Sequence, residues 1–231
     1  MYTQDWNDLI SSKKWLIREN NIVEVSIPQK ASEDLFKLSP EFIEAFPLLS
    51  NLLNLARVTK VKIDAESFQI YGWTDLQGHS FGWQCLPANP FEDYPEFHPD
   101  HKLLLSCFGG INERWNEPDT WLLNLNSTLC ARDTFTGFGW EAYYSYACKE
   151  GKIPEIISSS DYRAFAHEAN GNCTIYHHIT GQVLMFAHDH SFKHIKPFER
   201  CPKYTFYTIN NCPDFRTWVE TVAKQWLDNI G

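Results

Sequence analysis

The chain has 231 residues, of which 43% are hydrophobic, 15% aromatic and 21% charged; this is the composition of a folded domain and excludes an extensively disordered chain. Twenty basic against twenty-nine acidic residues give a formal net charge of −9, which argues against a protein that binds nucleic-acid phosphates through a basic face. The same charge fits an acidic protein that meets a basic partner.

The first 60 residues predict helices and one strand. Apolar positions within 6–17 recur at helical spacing, and 22–27 has the residue types of a strand. Further helices are predicted to start at Ser32 and to cover 40–45 and 48–56. These residues are expected to form an N-terminal extension of a single domain, 1–231, whose sheet-and-helix core is 61–231.

A region rich in strands follows. Residues 58–63 and 68–73 alternate around a turn, and 79–85 continues the pattern. Four prolines within 86–100 predict a long loop, and the apolar run 103–105 leads to the pair Gly109–Gly110. Beyond it, we predict a strand at 121–125 and helices at 141–149 and 160–169.

The last third carries the clearest periodicity. Residues 173–179 and 182–188 flank Thr180–Gly181, which predicts a hairpin with a two-residue turn, and 203–209 predicts another strand. A helix opening at Pro213–Asp214 carries a stripe that we expect to be core: Phe215, Trp218, Val219, Val222, Ala223, Trp226 and Leu227.

The start of the chain has no basic and apolar segments of the kind that a secretory signal requires, and no run approaches the roughly 18 apolar residues of a membrane span. The number of cysteines, seven, is odd, and no two have Cys-x-x-Cys spacing. We therefore predict a cytoplasmic protein with reduced core thiols and no cofactor. Recognisable signatures of a cysteine hydrolase or of a phosphate-binding loop are absent from the sequence.

Three histidines, His188, His190 and His194, lie near the end of the predicted hairpin. Three imidazoles can hold zinc or non-haem iron, so a metal-dependent enzyme is one alternative. A solvated strand end is the interpretation that we favour, and we expect no bound metal.

Two segments, 91–100 and 113–121, combine carboxylates with aromatic side chains. Paired carboxylates can act as acid and base, and a solvated acidic loop has the same composition. Docking of a basic partner is the use that we predict, because aromatic anchors dominate interface energies and opposite charges speed association. The predicted contact residues are Glu92, Asp93, Tyr94, Glu96, Asp100, Glu113, Trp115, Glu117 and Asp119.

Three passages resemble the SUKH superfamily, which includes fungal cell-wall-synthesis regulators and bacterial immunity proteins against polymorphic toxins. They are Leu86–Pro87 leading to 103–110, the segment 171–190, and 215–220. The resemblance implies an α+β fold in which helices pack against a central mixed, mostly antiparallel sheet. It also implies a non-catalytic binding protein, so no catalytic residue carries over.

The leading functional expectation is an immunity protein that binds and neutralises a toxin domain, with a nuclease whose cleft is basic as the candidate toxin. An acidic protein can occupy such a cleft by imitating the charge of the nucleic acid. The alternatives are a regulatory scaffold for an endogenous partner and the metal-dependent enzyme.

Overall fold

A computed structural model describes residues 4–30, 38–89, 93–122, 127–136, 139–189 and 193–231. The helices are α1 (Gln4–Ser12), α2 (Pro40–Ala45), α3 (Pro47–Leu55), α4 (Pro99–Cys107), α5 (Trp140–Gly151) and α6 (Phe215–Leu227). The strands are β1 (Val23–Val25), β2 (Gln29–Lys30), β3 (Arg57–Ile63), β4 (Glu66–Thr74), β5 (Ser80–Cys85), β6 (Ile111–Trp115), β7 (Ser127–Thr128), β8 (Tyr162–His167), β9 (Cys173–His177), β10 (Val183–Phe186), β11 (Ile195–Pro197) and β12 (Phe206–Ile209). Single 3₁₀ turns lie at Lys14–Leu16, Ala131–Asp133 and Ser159–Asp161.

These strands form one twelve-stranded sheet in the order β1-β3-β4-β5-β6-β7-β8-β9-β10-β12-β11, with β2 also pairing with β3. Every pairing between the described strands is antiparallel. The predicted α+β class is therefore confirmed. Elements of the predicted N-terminal extension join the same sheet and core, since β1 and β2 pair with β3 and α3 packs on α6.

One face of the sheet, called here the first face, is covered by α2, α3, α4 and α6. Three indoles meet at its centre, where Trp226 of α6 lies 5.6 Å from Trp73 and 4.7 Å from Trp83 between ring centroids. The predicted stripe of α6 faces this core, and its members from Phe215 to Trp226 are buried while Leu227 is partly exposed. Its role as core is confirmed.

The joint between α3 and α6 is polar as well as apolar. Pro47 begins α3, and the preceding residue supplies no side-chain cap to its free N–H groups. Glu220 of α6 takes that role, accepting from the backbone N–H of Leu48 at 2.8 Å and of Leu49 at 3.0 Å. Burial raises the pKa of Glu220 despite these bonds.

The opposite or second face is covered in two separate places. On β4 and β10, Ile70 and Leu184 point away from the first-face core that Tyr71 and Val183 join. Helix α1 packs over β4, β5 and β6 at one end of the sheet. Helix α5 packs over β9, β10 and β12 at the other end.

Helix α1 is held to the sheet by an ion pair whose carboxylate is buried. Asp5 is 2% exposed, and its carboxylate accepts from Arg57 at 2.7 and 3.0 Å and from the Ser80 hydroxyl at 2.6 Å. A side chain at Gly72 would clash here, because its Cβ would lie 2.3 Å from the Asp5 carboxyl carbon. The Asp5–Arg57 pair therefore requires a residue without a side chain at position 72.

Most predicted elements are confirmed, with boundaries shifted by a few residues. The helix predicted at 160–169 was wrong: those residues form a 3₁₀ turn and β8, which lies between β7 and β9. The two-residue hairpin turn was also wrong, because β9 and β10 pair Tyr176 with Val183 and leave a four-residue turn, 178–181. The predicted loop 86–100 ends at Pro99, where α4 begins.

Three further expectations fall at the margins of the described residues. The helix start at Ser32 and residues 123–125 of the predicted strand lie outside them, while Trp121 and Leu122 form a bend. Pro213 precedes the cap residue Asp214, so it lies just before α6 rather than in its first turn. Within the described ranges, no helix combines the length and the apolar character that crossing a bilayer requires.

Candidate functional site

The acidic residues of the first predicted segment are tied to the protein's own cations. Asp100 accepts from Arg216 of α6 at 2.6 Å, and Glu96 lies 3.1 Å from the buried guanidinium of Arg163. Asp93 is exposed and lies 3.6 Å from the ammonium of Lys102. These contacts link the loop before α4 and the first turn of α4 to α6 and β8, while the side chains of Asp93 and Glu96 remain 83% and 72% exposed.

The aromatic member of this segment also packs inward. Tyr94 stacks on Phe97 with ring centroids 5.0 Å apart, and Phe97 stacks on the buried His101. Glu92 lies outside the described residues. Its part in the predicted contact surface stays a prediction.

Glu113 and Trp115 of the second predicted segment lie on the second face of the sheet, whereas Trp121 at its end contacts α6 on the first face. Glu113 lies 3.0 Å from Lys13, just after α1, and Glu117 pairs with Arg114. Trp115 is 1% exposed and packs under α1, so its prediction as an exposed anchor was wrong. Asp119 is exposed. The sheet therefore separates Glu113 and Trp115 from the residues around α4.

The described histidines of the metal hypothesis lie against different layers. His188 packs between Phe186 and Tyr143 on the α5 side, with ring centroids 5.9 Å from each. His194 stacks on Trp121, whose backbone N–H donates to Gln225 of α6. His190 lies outside the described residues, and within them no group of three His, Cys, Asp or Glu side chains is placed to hold a metal ion.

Burial shapes the chemistry of the thiols. It raises the pKa of Cys130 to about 12 and raises the pKa of five more cysteines. Those five are Cys85, Cys148, Cys173, Cys201 and Cys212. At neutral pH these side chains are protonated thiols, which are poor nucleophiles.

A groove lies on the second face between the areas that α1 and α5 cover; we call it the central groove. It has a volume of about 630 Å³. Its lining includes the side of the sheet at β4 to β7 and the turn that follows α1: Trp15, Leu16, 63–66, Phe68, Gln84, Asn112, Glu113, Ser127, Arg132 and Asp133. The sheet is thus uncovered at its middle, and the side chains that line it there are largely polar.

Trp15 is the most exposed aromatic side chain of this lining, at 66%. It lies in the 3₁₀ turn after α1, where Leu16 and Ile17 pack against the small core beneath that helix. Because the Trp15 indole is largely exposed, it contributes much less to the packing of that core than Leu16 and Ile17 do. The sequence already carried the signal, since Trp15 falls off the helical stripe that includes Leu16 and Ile17.

The polar lining contains an ordered relay of hydrogen bonds. Arg132 donates to the Oδ1 atom of Asn112, and the Nδ2 atom of Asn112 donates to the Oε1 atom of Gln84 at 3.0 Å. Because a guanidinium only donates, this sequence fixes the orientation of both amides. Within the part of the chain that the structure describes, the Nε2 group of Gln84 has no hydrogen-bond partner, and the residue is 0% exposed.

The charge of the groove is negative. Four carboxylates line it, those of Asp64, Glu66, Glu113 and Asp133, against the single guanidinium of Arg132. Arg132 lies 3.6 Å from Asp133, which also accepts from the Ser127 hydroxyl at 2.6 Å. The arrangement can receive a cation and an uncharged hydrogen-bond acceptor, and it disfavours an anion.

A second, smaller cavity of about 320 Å³ lies on the first face. Trp121, His194, Lys193, Glu168 and Met185 are among the residues that line it. Its charged groups include one carboxylate and one ammonium, so it lacks the strong sign of the central groove.

Comparison of the chain with family models, with curated proteins and with solved structures found no match.

Proposed function

We propose that this protein is a non-catalytic binding module whose central groove receives a basic segment of a protein partner, and that it acts as an immunity protein against a toxin. The observation that carries the proposal is the juxtaposition of the exposed Trp15 with an uncovered, carboxylate-lined part of the sheet. Tryptophan and opposite charge are the two features that most often supply interface energy and rapid association.

The electrostatics support a cationic occupant. A lysine or arginine side chain over the indole of Trp15 gains a cation–π interaction, and the carboxylates around the groove lower the energy of the same cation. The formal charge of −9 adds a long-range attraction for a basic protein. We propose Asp64 and Glu66, whose side chains are exposed at the edge of the groove, as the charged contacts. Glu113 of the same groove is 12% exposed and pairs with Lys13.

The raised pKa of six of the seven cysteines argues against those six as catalytic nucleophiles, since a thiolate is the nucleophile in cysteine enzymes.

The test is co-expression with a toxin-type protein encoded by a gene adjacent to its own. Wild-type protein is expected to restore growth and to bind the purified toxin domain, and Trp15→Ala combined with Glu66→Lys is expected to lose both effects. Leu76→Ala is the matched control, because Leu76 is 76% exposed and lies beyond the far end of β4 from Glu66, roughly 30 Å away at about 3.3 Å per residue.

Failure of the wild-type protein to restore growth or to bind would overturn the immunity role. Binding that depends on the groove, without any effect on growth, would instead favour a regulatory scaffold. Binding that Leu76→Ala weakens as much as the groove variant would overturn the location of the site.

A further inference from the structure

We infer that the occupant of the central groove is an extended peptide segment in which a backbone carbonyl accepts from the Nε2 group of Gln84, beside an arginine or lysine that reaches Trp15 and the carboxylates. This inference rests on the proposed function and specifies its recognition chemistry.

Burial of the Gln84 side-chain amide reduces the stability of the fold. Gln84 lies on β5, where its neighbours Trp83 and Cys85 belong to the first-face core and Gln84 points to the second face. A buried N–H without a partner destabilises a protein unless something supplies an acceptor. A residue with this cost, placed in the lining of a groove, is explained if a ligand supplies the acceptor. Because the Nε2 group is shielded from solvent in the structure, the ligand reaches it by displacing a side chain of the lining that covers it.

The relay determines which end of the amide is free. Asn112 and Arg132 occupy the Oε1 side of Gln84 through a chain of donors, so rotation of the amide by 180° would set the Nε2 group of Gln84 against the Nδ2 group of Asn112. The free group is therefore a donor, and its ligand must present an acceptor.

The surrounding charge selects among acceptors. A phosphate or carboxylate would accept from Gln84 but would be repelled by the net negative charge of the groove, where Glu113 and Asp133 have cationic partners and Asp64 and Glu66 add two further carboxylates. An uncharged carbonyl meets no such repulsion, and a peptide backbone supplies one at every residue. A carbonyl next to a cationic side chain satisfies both demands of the site, which defines a basic peptide segment.

The test uses a blocked pentapeptide of glycine, arginine, valine, arginine and glycine, with its citrulline analogue as the uncharged probe. Binding is followed by NMR titration of the full chain, including the side-chain amide resonances of glutamine. We expect the Gln84 amide signals to shift with the arginine peptide, and the citrulline peptide to bind at least fivefold more weakly.

Gln84→Met removes the free donor and keeps the volume of the side chain. We expect its thermal midpoint to equal or exceed that of the wild type, while its affinity for the arginine peptide falls about tenfold. Gln77→Met makes the same change at an exposed turn residue and should alter neither quantity. A purely structural role for Gln84 would lower the thermal midpoint and leave binding to the folded protein intact.

Unchanged Gln84 amide signals on saturation, equal affinity of Gln84→Met and wild type, or no peptide binding would each overturn the inference. If Gln84→Met fails to fold, the amide signals of the wild type still decide it. The two proposals fail separately: loss of growth restoration by Trp15→Ala with Glu66→Lys but not by Gln84→Met retains the proposed function and removes this inference.

Discussion

The two faces of the sheet are covered to different extents. On the first face, four helices cover an unbroken apolar core that includes the three indoles of Trp73, Trp83 and Trp226. On the second face, α1 and α5 cover the two ends, and the middle presents Gln84, Asn112 and Ser127 to the central groove. Side chains point alternately to the two faces along each strand, so the difference arises from the residue types at the positions that point to the second face.

The difference between the faces separates the side chains that pack the core from those that line the groove. Side chains on the first face are accounted for by the apolar area that they remove from water. The exposed Trp15 lacks such an account, because its indole remains largely in solvent. Among the described residues, buried donors without a partner occur on both faces, at Trp83, Trp218 and Trp226 in the first-face core and at Gln84 in the groove lining. Gln84 differs from the three indoles because its amide is polar throughout and belongs to a hydrogen-bonded relay. Changes on the first face should therefore act on stability, and changes in the groove should act on binding.

The largest loss of stability is expected from Trp226→Ala. Trp226 is 0% exposed and contacts Trp73, Trp83 and Phe81, so the substitution opens a large cavity and should cost about 4 kcal/mol of the free energy of unfolding. Urea denaturation followed by far-UV circular dichroism measures it. Trp226→Phe, which retains part of the ring contact, should cost about half as much; equal losses for both would contradict the cavity explanation.

The attachment of α1 is expected to be the next largest contribution. Asp5→Ala removes a buried carboxylate that accepts from Arg57 and Ser80 and should reduce the free energy of unfolding by about 2 kcal/mol, because the Arg57 side chain is 38% exposed and is partly solvated without its partner. Asp8 of the same helix accepts from the exposed Gln4, so Asp8→Ala should change stability by less than about 0.5 kcal/mol. Similar losses in the two variants, measured by denaturation, would mean that the Asp5–Arg57 pair does not anchor the helix.

A pH-dependent loss is expected from His101 in the first-face core. Burial lowers its pKa to about 4, against an unfolded value near 6.5, and its ring nitrogens lie 3.0 Å from the Tyr176 hydroxyl and 3.0 Å from the Leu129 carbonyl oxygen. Between these pKa values the unfolded chain binds the extra proton, so stability falls as the pH falls. The contribution from pH 7 to pH 5 is about 2 kcal/mol.

The check is the difference between wild type and His101→Asn in urea titrations at both pH values. The wild type should lose about 2 kcal/mol more than the variant on acidification. Parallel losses would show that other groups, rather than His101, carry the pH dependence.

A smaller effect is expected at the start of α6. The Asp214 carboxylate accepts from the backbone N–H of Thr217 at 2.8 Å, so Asp214→Ala should cost about 1 kcal/mol. Asp228→Ala at the other end, where the carboxylate meets only the exposed Lys224, should cost less than about 0.5 kcal/mol. Thermal denaturation of the pair decides whether the cap contributes as expected.

The smallest change in stability is expected from Trp15→Ala in the groove. Because the indole is 66% exposed, the free energy of unfolding should move by less than about 0.5 kcal/mol, even though the residue removed is as large as Trp226. Its binding of the arginine peptide should nevertheless weaken at least fivefold. A loss of stability close to that of Trp226→Ala would place Trp15 with the core and contradict the division between the faces.

Much of the fold could be predicted because its signals are local. The helical periodicity of the α6 sequence predicted its buried face. Helix α2 begins at Pro40 and ends at Ala45, as predicted. The strand β8 could not be recognised from 160–169, since its mixed polar and apolar residues acquire their meaning only between β7 and β9. Pairing with the two neighbouring strands, rather than the local sequence pattern, determined that this segment forms a strand.

The site was harder to predict for a related reason. Acidic segments stand out in a sequence, but the cations that pair with Glu96 and Asp100 come from β8 and α6, far away along the chain. Trp115 similarly looked like an anchor until α1 was placed over it. Gln84 and Trp15 belong to the groove only because the two helices of the second face leave a gap, which is a property of the assembled sheet.

The most direct measurement is site-specific photo-crosslinking within the complex of this protein and its toxin-type partner. A benzoylphenylalanine residue is placed at position 15 in one variant and at position 76 in another, and the linked peptides are identified by mass spectrometry. We predict crosslinks from position 15 to a partner segment that contains arginine or lysine, and none from position 76. Crosslinks from position 76 alone, or from position 15 only to acidic segments, would contradict the central groove as the docking surface.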